Sequence, residues 1–442
     1  MPEVRGPEKE QEKKEQRRFI NEKVVRQPLT GRQLARRGLL LICAAVLFGA
    51  AAAVGFAAAF PAAERYFGDR SEAESQISIP KDEPAESSSA PAEEQTQASE
   101  TESEPIREQV QSVIENYRYT LEDFTSMISS LRAQAVASDK GIVTVHSVQQ
   151  EVDWFDNPVE TTGLYSGAVI ANTGREILIL TPEAAVENAD SIKVAFSGGK
   201  DVGGRIKQKD RVSGMAIVSV DTADVEETIL KAVAVVPLGN SYTLREGDIL
   251  IALGSPAGIV HSMDYGVVSY VLKGALRPDQ NCRVIYSDVM ADAGMGTFLL
   301  NTSGELVGWA TETAGGQEKK TPAVTEIMGI SDYKSILERM SNGLGVPYVG
   351  IAGQTVTEAM AGRGLPGGVY VVSAVADSPA YSAGIQNGDI ITAIDGQEVL
   401  SMKDYQSITE KLACGQTISV AVSRNGRESY ASLEFQITVG ER

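Results

Sequence analysis

Residues 290–311 read MADAGMGTFLLNTSGELVGWAT, and the first half carries the closely spaced glycines of a sharply folded functional loop. Acyl transfer in such a loop needs a nucleophile, a base to take its proton and a carboxylate to orient that base. The stretch DAGMGT holds no side chain that could attack a carbonyl before Thr297. Nearby hydroxyls belong to Ser287, Thr297, Thr302 and Ser303, but the last two fall in a polar turn, 301–304, between two apolar strands. Bases are as scarce: the chain has 2 His, His146 and His261. A Ser–Lys dyad would need a lysine close by, and none occurs between Lys273 and Lys319. Cys43, Cys282 and Cys414 form no disulfide framework and no metal-ligand spacing, so each reads as an inert, buried thiol. No cofactor is implied.

The elements that must position this loop belong to a chain of 442 residues, enough for two or three domains. A net charge of −19 argues against a nucleic-acid partner. Residues 1–37 nevertheless hold 11 Lys/Arg against 6 Glu and read as a basic cytoplasmic tail. Residues 38–63 carry no charge and are long enough, as a helix, to cross a bilayer. Arg36 and Arg37 directly before this segment put the N-terminus in the cytoplasm and everything after residue 64 outside. A cleaved signal peptide is the competing reading, since AAAFPAA offers small residues; the long basic leader favours a single-pass anchor in the cell membrane.

Residues 64–105 are dominated by a Ser/Glu/Ala/Pro-rich acidic tract that has almost nothing to bury and reads as a disordered linker. Over 106–138, Val110, Ile114, Tyr117, Leu121, Phe124, Ile128 and Leu131 alternate spacings of four and three, an a/d heptad. This predicts a helix, either packed on the following domain or forming a short oligomerising stalk. From 139 to 325, short β-rich runs separated by Gly, Asn and Asp turns predict an antiparallel unit of two small barrels. A connector, 326–345, includes a helix near 331–341, and 346–442 form a last module.

In that module, SPAYSAGIQNGDIITAIDGQ resembles the short helix, Gly turn and Asp-Gly hairpin of a PDZ domain. The run Tyr348, Val349, Gly350, Ile351 is similar to the family's carboxylate-binding loop, whose successive N–H groups cradle a peptide C-terminus while the peptide adds as a strand. A helix near 403–412, with Met402, Tyr405, Ile408 and Leu412, would wall the groove. Anchor, spacer, two-barrel unit and PDZ module together resemble membrane-anchored proteases of the HtrA/Deg family, which implies a mainly β fold: a chymotrypsin-like double β-barrel, then a PDZ domain, preceded by one transmembrane helix.

In that family the nucleophile lies in a Gly-Asn-Ser-Gly-Gly-Pro loop, and the similar stretch here puts Met295 at its position, or Gly296 if the register is counted from Asp288. The family's His position falls on Ala184 in LTPEAAVENADSIKVAF, and its Asp position on Gly214 in GMAIVSVD. All three lack the group the reaction needs. The resemblance therefore implies a catalytically degenerate member, a pseudoprotease that binds peptide C-termini or unfolded proteins outside the membrane. Alternatives are a regulatory subunit assembling with itself or with an active homologue, and a serine endopeptidase with a relocated site.

Overall fold

The computed structural model describes residues 76–84, 120–152, 158–311, 324–427 and 429–442. The basic tail, segment 38–63 and the heptad positions Val110, Ile114 and Tyr117 lie outside the described residues. Among those described, no helix is long and apolar enough to cross a membrane.

Two closed antiparallel barrels follow one another. The first consists of β1 (Ile142–Val152), β2 (Pro158–Asn172), β3 (Glu176–Pro182), β4 (Ser191–Ala195), β5 (Asp201–Asp210) and β6 (Met215–Asp221), joined in the order β1-β2-β3-β6-β5-β4. The second consists of β7 (Ile249–Gly254), β8 (Ser262–Arg277), β9 (Gln280–Ser287), β10 (Thr297–Leu300), β11 (Leu306–Thr311) and β12 (Thr325–Gly329), in the order β10-β11-β12-β9-β8-β7. The expected double barrel is therefore present.

Why several strands are apolar on both faces follows from the period of two. In β3, Ile177 and Ile179 fill the first barrel, while Leu178 and Leu180 face a second core between the barrels. Ala216, Val218 and Val220 of β6 likewise point inward, and Met215 and Ile217 outward to that shared core. From the other barrel, Ile251, Leu253, Phe298, Leu300 and Trp309 enter the same layer. Trp309 is 1% exposed, stands edge-on to Tyr333 at 5.2 Å, and its Nε1–H donates across the barrels to the Ser213 carbonyl at 3.2 Å.

The expected connector helix is α2, counted after the N-terminal α1 (Leu121–Asp139); it spans Lys334–Ser341 and buries Ile336, Leu337 and Met340 in the inter-barrel core. Beyond it stands the PDZ module, with its own core. Its strands are β13 (Pro347–Tyr348), β14 (Ile351–Thr355), β15 (Val369–Ala374), β16 (Ile390–Ile394), β17 (Gln397–Glu398), β18 (Thr417–Asn425), β19 (Tyr430–Thr438) and β20 (Gly440–Glu441). The main sheet runs β14-β15-β16-β18-β19, which leaves β14 at an edge; α3 (Met402–Thr409) lies beside it.

The α1 helix begins with a capping box between Thr120 and Asp123. Its heptad stripe is only partly used: Leu131 and Ala135 pack on the inter-barrel core, whereas Leu121, Phe124 and Ile128 are 80%, 59% and 43% exposed. At the helix end, the Asp139 carboxylate meets His261 Nδ1 at 3.1 Å and ties α1 to the second barrel.

Two expectations are corrected. The acidic tract was read as having nothing to bury, yet residues 76–84 run extended against α2. There Ile79 is 8% exposed, Ile77 N–H donates to Asn342 Oδ1 at 2.9 Å, and Asn342 Nδ2 returns a bond to the Ile77 carbonyl at 2.8 Å. Asp82 accepts from Lys334 Nζ at 2.9 Å and Ser331 Oγ at 2.5 Å. A short Ile-Ser-Ile-Pro run inside a polar tract is enough to dock when a cognate amide and a buried lysine wait for it. Cys414, read as buried, is exposed; Cys282 is buried, and that burial pushes its thiol up to about 11.

Asn342→Ala removes both of the amide's bonds to this strap and is expected to cost about 1–3 kcal/mol in urea unfolding, with faster proteolysis within 76–84. The His261 ring, held by its hydrogen bond to Asp139 against an opposing burial effect, titrates above the ordinary 6.5. A raised folded value stabilises fully below the unfolded one and fades as pH rises through the folded one. The Tm difference between the wild type and Asp139→Asn should therefore be largest between about pH 5 and 6.5 and should close at higher pH. A difference independent of pH contradicts the assignment.

Candidate functional site

Ala184, Gly214 and Met295 lie in three connections that adjoin the junction of the barrels, after β3, before β6 and before β10. Ala184 lies in the single 3₁₀ turn Glu183–Ala185 that closes β3, and it is exposed. Gly214 sits in the tight turn before β6, with a φ of +69°. The backbone binds these two together, since Glu183 N–H donates to the Gly214 carbonyl at 2.8 Å. From the second barrel, the loop before β10 reaches the same corner: Met295 accepts at its carbonyl from Ser166 N–H at 2.8 Å, and Gly296 from Ser255 N–H at 2.9 Å. A Cβ at Gly296 would stand 3.0 Å from Pro182 and 2.8 Å from the Ser166 carbonyl, so the alternative register could not host a side chain there. The loops that carry Ala184, Gly214 and Met295 thus adjoin one another through Glu183, Pro182 and Ser166, and the three side chains are a methyl, a hydrogen and a thioether.

The backbone of this loop is also committed. Asp292 Oδ1 accepts from Met295 N–H at 2.9 Å, and Asp292 exchanges bonds with Thr297, whose Oγ1 donates to the Asp292 carbonyl at 3.0 Å. In a serine protease the N–H of the nucleophile residue is a donor to the developing oxyanion. Here the corresponding donor already serves a carboxylate, so negative charge is present where it would have to be received. Asp292 escaped the sequence reading, although an Asp three residues before a tight loop is a local signal for such a side-chain-to-backbone bond.

Other candidates are engaged elsewhere. Ser287 Oγ is buried and donates to the Val267 carbonyl, and Ser303 and Thr302 lie in the β10–β11 turn. Ser166 and Ser255 share a buried hydroxyl–hydroxyl bond of 2.7 Å. His261 is paired with Asp139, and His146 faces Asp201 at 3.9 Å. The Glu183 carboxylate beside Ala184 is approached by Lys209 at 3.5 Å and Arg211 at 3.6 Å.

The run 348–351 lies between β13 and β14 in the PDZ module. Val349 and Ile351 turn their side chains into the module's core, and Tyr348 is half-buried. Gly350 has a φ of +88°, and a Cβ there would lie 2.2 Å from Ser378 Cβ, so only glycine fits the turn. What remains for a ligand is the row of backbone N–H groups at 349–351, and these are occupied. Asp279, from the turn between β8 and β9, accepts from Val349 N–H at 2.8 Å, from Gly350 N–H at 2.9 Å with both oxygens, and from Ile351 N–H at 3.1 Å. The Tyr405 hydroxyl completes the set at 2.7 Å. Of the groove-wall residues, Met402, Tyr405 and Leu412 belong to the PDZ core, and Ile408 is partly buried against it. Burial first, and then Asp279, push the Tyr405 hydroxyl well above its usual range and keep it a donor.

Comparison with known proteins agrees with this layout. The trypsin-like peptidase domain family matches residues 165–308 and the PDZ domain family residues 344–435. Serine protease Do-like HtrA of Bacillus subtilis is 28% identical over 287 residues, covering 60% of this chain and 62% of that protein. The protein of the same name from Lactobacillus helveticus is 26% identical over 288 residues, covering 61% and 68%. A Pseudomonas savastanoi protein named "Probable periplasmic serine endoprotease DegP-like" is 29% identical over 295 residues, covering 64% and 57%. The chain thus spans between 57% and 68% of the length of these relatives. Among solved structures, "HtrA-type protease AlgW with decapeptide" has 20% identity and a TM-score of 0.49, covering 70% of this chain and 98% of that one. The chain thus carries a trypsin-like peptidase domain followed by a PDZ domain, and in that order it is similar to HtrA-type serine proteases.

Proposed function

We propose that the protein is an HtrA-type pseudoprotease that holds peptides or unfolded polypeptides without cutting them, anchored in the cell membrane by residues 38–63 with its barrels and PDZ domain outside. The observation that carries this reading is the corner where Ala184, Gly214 and Met295 converge with the Met295 N–H already given to Asp292. Nucleophile, base, orienting carboxylate and oxyanion donor act as a unit, and a site lacking all of them retains only binding. The curated relatives are named as proteases, and the proposal departs from them on this point. The edge strand β14 of the PDZ sheet can take an extended chain as an added strand, and Met295 offers a flexible apolar side chain for contact at the barrel junction.

A second reading, a regulatory subunit that assembles with itself or with an active homologue, is favoured by the exposed Leu121, Phe124 and Ile128 on α1. Light scattering separates its two forms: a homo-oligomer in isolation, or a monomer that needs another chain.

Full-length protein incubated with fluorescein-labelled casein is expected to retain casein on size-exclusion chromatography and to release no fragments. Met295→Ser alone is expected to gain no cleavage, because base, carboxylate and oxyanion donor remain missing. Cleavage by the wild type that survives repurification and is lost on Thr297→Ala or Ser255→Ala overturns the proposal. Neither binding nor cleavage shifts the assignment to the regulatory subunit.

A further inference from the structure

The loop that should receive a peptide's carboxylate already holds one. Asp279 presents both oxygens to three consecutive N–H groups, while its own N–H donates to the Ile351 carbonyl at 2.7 Å. That last bond is made at the edge of the PDZ sheet, where β14 pairs, among the described strands, with β15 alone and the β8–β9 hairpin lies alongside. A carboxylate in the N–H cradle with a backbone bond to the adjoining edge strand is the arrangement an added C-terminal peptide would make. Asp279 is 4% exposed, so its charge is desolvated and fully dependent on the PDZ donors.

The turn is shaped for this contact. Asp279 takes a φ of +61°, a left-handed conformation that Asp tolerates better than most residues. On either side, Arg442 Nη2 donates to the Pro278 carbonyl at 3.2 Å and lies against Gln280. The Arg442 side chain, 4% exposed, reaches the fully buried Asp210 of the first barrel at 3.7 Å. Both barrels and the PDZ domain therefore share this one clasp.

From this geometry we infer that Asp279 is an internal competitor for the PDZ groove: a polypeptide ending in a free α-carboxylate binds by displacing it, and doing so releases the β8–β9 turn from the PDZ domain. The inference rests on the peptide-binding reading above. Ligand and clasp use the same donors, so they exclude one another, and the apparent affinity for a peptide is lowered by the fraction of molecules in which the clasp is open.

The test uses full-length protein and a pool of fluorescein-labelled decapeptides of random sequence ending in Val, Ile, Leu or Phe with a free carboxylate; the same pool capped as the C-terminal amide is the control. Asp279→Asn keeps the size and the tolerance for the left-handed turn but removes the charge, and Asp279→Gly removes the side chain. Both variants are expected to bind the free-acid pool about tenfold or more tightly than the wild type, with no gain for the amide pool. Equal affinity of wild type and variants overturns the competition while leaving peptide binding standing. Absence of binding by folded variants overturns both. If the variants do not fold, hydrogen exchange on the wild type decides: the free-acid pool must speed exchange of residues 276–282, and unchanged exchange there overturns the inference.

Discussion

A buried carboxylate with no solvent must have its lone pairs filled by the protein, and Asp279 has its own filled entirely from another domain. Three backbone N–H groups and the Tyr405 hydroxyl come from the PDZ module, while the aspartate belongs to the second barrel. Removing one side of such a contact leaves the other buried and unsatisfied, which is the costliest way to break it. The relative placement of barrel and PDZ domain depends on it. In the proposed function the availability of the groove depends on it too, because the donors that fix the domains are those a peptide carboxylate would take.

The triad corner shows the same logic at shorter range. A loop with several glycines has many N–H groups and few side chains, so some local acceptor must satisfy them. Asp292 does so at Met295, and Thr297 locks Asp292 in turn. The resulting loop is well made as a structure, and the bonds that make it so occupy the donor chemistry would use. The side chains at 184, 214 and 295 and the commitment of the Met295 N–H to Asp292 are therefore separate features, and both support the proposed function.

How much of this was legible in the sequence depends on range. The alternation in ILIL and MAIVSV predicts strands, and it becomes an account of two cores once the barrels are seen to share a layer through Leu178, Leu180, Met215 and Ile217. The PDZ module was legible because its short helix, Gly turn and Asp-Gly hairpin form a motif with fixed local spacing, and Ala184, Gly214 and Met295 were assigned by counting within such motifs. Asp279 was not: its partners stand 70 to 126 residues away, and an Asp after Pro278 reads only as a turn residue. The docked strap at Ile77 and Ile79 was hidden for another reason, since the surrounding composition is that of a chain that buries nothing. Along α1 the described part of the heptad stripe, from Leu121, is helical, but periodicity alone could not tell that the barrel would use Leu131 and leave Phe124 in solvent.

In the proposed function the corner formed by residues 184, 214 and 295 has no nucleophile to offer. Exposure of the full-length protein to a fluorophosphonate that labels activated serines, followed by intact mass and peptide mapping, addresses it directly. The expected result is an unchanged mass under conditions that label an active HtrA-type protease to completion. A stoichiometric adduct on any Ser or Thr of the two barrels would contradict it and would reveal a relocated active site.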